Sequence, residues 1–216
     1  MFQLSIHAAC SYVRKVLDEL ISVEDLGMLV SPDAINLHKL VEGCIVEAAV
    51  KVHEKAPALL LDGIKGVTGT DFTASLDDGV VTITMKREAV RLASFRMGDS
   101  NIVVTDLIPE DSAEGRKQLN KYIRGVADDP RLVIQKVAAG NHMPVFKYYS
   151  TEGKGLPEIH LEYVPYPVIN ETIVEICPAL EYAVLNEIAA MVMETIAEGD
   201  KATICRARVE EYLKTK

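Results

Sequence analysis

The hydrophobic patterning of this chain predicts an α+β fold: a helical body interrupted by an inserted, mainly antiparallel β region. Three observations predict it. Apolar residues recur at three- and four-residue steps at both ends of the chain, the middle alternates with β-branched residues, and the two patterns are segregated instead of interleaved. The division puts the helical body in 1–66 and 167–216 and the β region in 67–166, all within a single domain 1–216. No fixed-period repeat and no Gly/Ser- or Pro-rich linker breaks the chain further.

In chain order, Ile6, Cys10, Val13, Val16, Leu17 and Leu20 form one stripe, which predicts a helix at about 5–21. Ser31-Pro32-Asp33 supplies a capping hydroxyl, a proline for the first turn and an early carboxylate. With Ile35, Val41, Ile45, Ala48 and Val52 in register and Pro57 as a stop, the second helix is expected at about 32–55. Phe72–Leu76 and Val80–Met85 flank Asp77-Asp78-Gly79, a hairpin signal, because Asp-Gly readily takes the left-handed turn conformation. Further strands are expected at about 90–97, 101–107, 131–137, 144–150 and 158–164. The polar stretch from Pro109 to Arg124 reads as a loop with a short helical piece.

After Pro178, the residues Leu180, Ala183, Val184, Ile188, Met191, Val192 and Ile196 line one helical face. Gly199 is expected to stop that helix and Asp200 to cap the next, whose inward residues are Ala202, Cys205, Val209 and Leu213. The stripes of this hairpin and of the helix at 32–55 need a common burial partner, so the two should pack together, with Ile188 and Val192 inside.

Composition narrows the function classes. The formal net charge is -9 and the pI about 5.1, which opposes the counterion release that drives tight binding to nucleic acid. No stretch reaches the roughly 18 apolar residues of a membrane span, and the N-terminus lacks a signal-peptide pattern, so a cytoplasmic site of synthesis and no membrane partner are expected. The 4 cysteines, Cys10, Cys44, Cys177 and Cys205, are widely spaced on runs that read as apolar helix faces, and are expected as buried free thiols. Asn170-Glu171-Thr172 matches a glycosylation sequon, but without a secretory signal it carries no weight.

Chemistry-bearing motifs are sparse. The 5 histidines (His7, His38, His53, His142, His160) make no metal-ligand spacing. Gly63, Gly66 and Gly69 precede no Gly-Lys-Ser/Thr, so they read as the entry to the hairpin. Asp77 and Asp78 have the setting of a turn, not of an acid–base pair. We therefore expect no catalytic residues, no metal, no cofactor and no enzymatic activity. The cations Lys86, Arg87, Arg91 and Arg96 form a local basic cluster, and Tyr148, Tyr149, Tyr163 and Tyr166 gather in neighbouring strands. Arg91, Arg96, Tyr148 and Tyr149 are the candidate subunit or partner interface, since arginine and tyrosine are enriched at such boundaries.

The order of segments brings in a family. Val90 to Met97, followed by Val103 to Ser112, Gln118 to Gly125, Pro130 to Val137 and Val145 to Ser150, resembles the central region of head-to-tail connector (neck ring) proteins of crAss-like and related Bacteroidales tailed phages. Glu47 to Val52 ahead of Ala56 to Leu60 is similar to the second helix of that family. Tyr163-Val164-Pro165, Ala189-Ala190 and Glu198 to Ala202 are similar to the closing helical hairpin of podovirus tail adaptors.

The resemblance implies a structural virion protein at the head–tail junction, assembled in the host cytoplasm. Its implied partners are itself, as a closed ring of about twelve copies, the portal protein, and the next tail or neck protein. Genomic DNA passes through without specific binding, as suits an acidic lumen. The alternatives are an unrelated cytoplasmic assembly or interaction protein, or an enzyme with no recognisable motif.

Overall fold

The computed structural model describes residues 1–20, 36–98, 101–126, 128–135, 142–149, 156 and 158–215, with the side chain of Leu20 left aside. In order these form β1 (Phe2–Ser5), α1 (Ile6–Leu20), α2 (Leu37–Lys55), β2 (Ile64–Lys65), β3 (Phe72–Asp77), β4 (Val80–Met85) and β5 (Ala89–Met97). There follow β6 (Leu107–Pro109), α3 (Ala113–Lys117), β7 (Arg131–Ile134), β8 (Val145–Tyr149), β9 (Ile159–Pro165), β10 (Ile169–Asn170) and β11 (Ile173–Ile176). The chain closes with α4 (Glu181–Thr195) and α5 (Gly199–Lys214). The fold is α+β, with three mainly antiparallel sheets and a C-terminal helical hairpin. Contacts divide the chain into two compact units, 1–62 with 167–216, and 63–166.

The helical unit is built around α4. Every residue from Ala183 to Ala190 is buried, because α1, α2 and α5 all pack against this one helix. Ile188 and Val192 are inside, as the apolar stripe requires. Helix α2 starts from Asn36, whose Oδ1 accepts the Lys39 N–H. The expected start at Ser31-Pro32-Asp33 lies outside the described residues. Helix α4 ends two residues earlier than its glycine suggests. The Ala197 N–H bonds to the Glu194 carbonyl and the Glu198 N–H to that of Met193, the paired bonds that close a helix. Ala197, with φ 66°, takes the left-handed position expected of Gly199, which instead lies inside α5. Glu198, not Asp200, stands at the cap of α5, without a side-chain capping bond.

A small antiparallel sheet, β1–β11–β10, belongs to the same unit, with Phe2 opposite Ile176 and Leu4 opposite Val174. Nothing in the local pattern announced it. Its strands are two to four residues long, too short for alternation to register. Cys177 accordingly follows a strand and is not on a helix face.

The β unit holds two sheets, β2–β9–β5 and β3–β4–β8–β7–β6, the second antiparallel except for the parallel pair β6–β7. Phe72, Ile83, Phe95, Phe146, Tyr148 and Leu161, drawn from both sheets, fill a shared core. The β3–β4 hairpin turns at Asp78 (φ 44°) and Gly79 (φ 70°), the conformation that the Asp-Gly step predicts. The strand expected at 101–107 does not form as such: Val104 makes a single bridge to Phe95, and regular pairing begins only at Leu107.

Candidate interaction surface

The residues expected at a boundary are dispersed. Arg91 and Arg96 lie five residues apart on β5, which in a regular strand puts them on opposite faces. The register shift at Leu92/Ser94, which falls between them, resets that parity. Arg91 pairs with Val164 and Arg96 with His160, four residues apart on β9, so both arginines share the face away from Phe95. Beside them the Ser94 hydroxyl donates to Glu162 at 3.1 Å. Lys86 and Arg87 are used locally: Lys86 Nζ donates to the Gly69 carbonyl at 2.8 Å, and Arg87 pairs with Asp71 at 2.6 Å. Tyr148 is 1% exposed, its ring 4.9 Å from that of Phe95 inside the core, and Tyr149 is 4% exposed. Neither tyrosine ring is on the surface of the β unit.

Tyr149 does mark the base of a different surface. Strand β6 ends at Pro109, and Glu110 then accepts hydrogen bonds from Gln135 at 3.0 Å and Lys147 at 3.3 Å. The Gln135 bond, with that of Lys147, holds the Glu110 carboxyl below the usual carboxylate range. Ser112 caps the short helix α3 through the Gly115 N–H at 2.9 Å. Gly115 is required there, since a Cβ would sit 2.2 Å from the Pro109 carbonyl oxygen. Gln118, buried, then reaches forward: its Oε1 accepts the Gly125 N–H at 2.8 Å, closing the segment into a loop.

Within that loop Asn120 acts as the inner brace. Its Oδ1 accepts the Tyr122 N–H, and its carbonyl accepts those of Ile123 and Arg124. Arg124 ties the loop to the β3–β4 turn through the Asp78 carbonyl at 2.8 Å. Gly125 lies on the backbone of Tyr149, where a Cβ would come within 2.7 Å of its carbonyl oxygen.

What this frame holds outward is apolar. Leu119 is 68% exposed, Tyr122 84%, and Ile123 and Val126 59% each. Arg116, Lys117, Lys121 and Arg124 are interleaved with them, and Lys121 lies over the Tyr122 ring at 5.4 Å. Large apolar side chains on a braced loop, rimmed by cations, have the composition of a protein-contact surface. Residues 119, 122, 123 and 126 follow helical spacing, so the signal was in the sequence. It was hidden because that spacing ordinarily denotes a buried stripe, whereas here the chain turns and leaves all four outside.

Burial pushes the Cys44 thiol up to about 11 and raises those of Cys10, Cys177 and Cys205 as well, which disfavours the nucleophilic thiolate. Among the described residues no cluster of three His, Cys, Asp or Glu can hold a metal ion, and no helix is long and apolar enough to cross a membrane. Comparison of the sequence with protein-family models and with curated proteins gives no match.

Proposed function

We propose that this chain is a structural subunit of a tailed bacteriophage virion, a head-to-tail connector ring protein seated under the portal. Its work is mechanical and not enzymatic: it extends the DNA channel, links capsid to tail and offers a platform to the next tail component. The observation that carries the assembly role in this reading is the braced loop 116–126, which holds four large apolar side chains out of the protein in a fixed arrangement. Such a surface is costly in water and is resolved by a protein partner. The ordered resemblance of segments from about residue 40 onward supports the same reading, and net charge -9 suits a wall past which duplex DNA slides without adhering.

In this role the protein is made in the host cytoplasm and ends at the head–tail junction, as a ring of about twelve copies contacting the portal. Light scattering of the purified chain, alone and mixed with portal, tests it. A closed oligomer or a stoichiometric complex with portal is expected. A chain that stays monomeric and ignores the portal rules the reading out. The loop would serve equally an assembly protein unrelated to virions, and mass spectrometry of purified particles separates the two: only a connector is carried in the virion.

A further inference from the structure

The two units differ sharply in charge. Segments 1–62 and 167–216 together hold 10 lysines and arginines against 18 aspartates and glutamates, a net of -8, whereas 63–166 hold 13 against 14, a net of -1. The near-neutral β unit nevertheless carries a wholly cationic stretch: between Arg116 and Val126 there are four cations and no acid. We propose that this loop is one half of a head-to-tail contact between copies of this chain, its other half being the acidic helical unit of the next copy. The inference rests on the ring reading above and names which surfaces meet.

A symmetric contact of loop against loop would bring Arg116, Lys117, Lys121 and Arg124 up against their own copies, and like charges brought together oppose association. A contact with the acidic unit instead neutralises the cations while Leu119, Tyr122, Ile123 and Val126 are withdrawn from water, so both kinds of side chain favour the same partner. That unit also presents exposed large apolar side chains to receive them, Leu59 at 84% and Val168 at 55% exposure. Because the two surfaces are different, the contact is heterologous, and repetition of one heterologous contact generates a ring when its rotation closes.

The bracing has a consequence of its own. A floppy loop would lose side-chain and backbone freedom on docking, which weakens binding. Here Gln118, Asn120 and Arg124 have already fixed the backbone before the partner arrives. Tyr122 and Arg-type side chains, displayed from a rigid frame, are the kind that dominate contact energies.

The test is a photo-cross-link from position 122. The full chain carrying a benzophenone side chain in place of Tyr122 is assembled from mixed isotopically heavy and light copies, with and without portal. Cross-links between heavy and light copies are expected, and on the acceptor side they fall in 1–62 or 167–216. The Lys117→Glu/Lys121→Glu/Tyr122→Ser variant, altered only at exposed positions, should melt normally and self-associate about tenfold more weakly or worse. Association of the parent chain should also weaken as salt rises from about 0.05 to 0.5 M. Inter-copy cross-links confined to 63–166, or links to portal alone, overturn this contact while leaving the ring intact. Tyr122-dependent binding to phosphatidylglycerol vesicles without inter-copy links also overturns it, in favour of a lipid surface. No oligomer and no portal complex under any condition overturns the connector reading together with this one.

Discussion

His53 and Cys177 are joined through the histidine ring across 124 residues of chain: Nε2 accepts the Cys177 backbone N–H at 3.1 Å, while Nδ1 lies 2.6 Å from the Ala49 carbonyl. A carbonyl can only accept and a backbone N–H can only donate, so the ring is the neutral tautomer with its proton on Nδ1. One side chain thereby ties α2 to the segment that leads into α4.

Burial is the main cause that lowers the His53 pKa, with the Ala49 carbonyl pulling the other way. The unfolded chain binds a proton more readily than the folded one, so this contribution is complete above the ordinary histidine value of about 6.5 and is lost as pH falls through the folded pKa. Urea midpoints should therefore drop below about pH 6.5. His53→Leu should cost about 1–3 kcal/mol at pH 8, because it strands a buried N–H, and should flatten that part of the pH profile. An unchanged midpoint at pH 8 would show that the ring bond contributes nothing net.

Ala197 holds a left-handed conformation that a side chain disfavours. Ala197→Gly relieves the Cβ strain at the end of α4 and should raise stability by about 1 kcal/mol, since here glycine's greater unfolded entropy is outweighed. A rise of a few degrees in melting temperature checks it.

Gln118 is the clamp of the exposed loop, and Gln118→Ala leaves the Gly125 N–H unpaired. We expect a loss of about 1–3 kcal/mol locally, with the β unit still folded by circular dichroism. Trypsin should then cut after Lys121 and Arg124 faster than in the parent chain, whose arginine is held on the Asp78 carbonyl.

Arg91 and Arg96 share one face of the β2–β9–β5 sheet. Reversing both to glutamate should leave the chain folded, within about 1 kcal/mol, while weakening ring or portal association. If the doubly reversed protein assembles on portals as tightly as the parent, that face is not a boundary and the 116–126 loop must carry the assembly.

Ile188 is wholly buried in the middle of α4. Ile188→Asp puts an unpaired carboxylate among α1, α2 and α5, at a cost of several kcal/mol, and should abolish soluble expression. Recovery of a soluble variant with a normal melting curve would contradict the packing.

The amino-acid order alone determined whatever depends on neighbours along the chain. Helices α1, α2, α4 and α5 follow from three- and four-residue spacing, and the β3–β4 hairpin from its Asp-Gly turn, because these elements make their hydrogen bonds locally. What only the tertiary structure decided depends on distant partners. Strand β1 exists because β11 lies beside it, though some 170 residues separate them. The shared face of Arg91 and Arg96 depends on a register shift against β9, and the burial of Tyr148 on Phe95 from another sheet. The loop carries the same lesson in reverse. Leu119, Tyr122, Ile123 and Val126 have the spacing of a buried stripe, yet with Gln118 and Arg124 holding the loop no element among the described residues covers them, and a pattern that denotes core became surface.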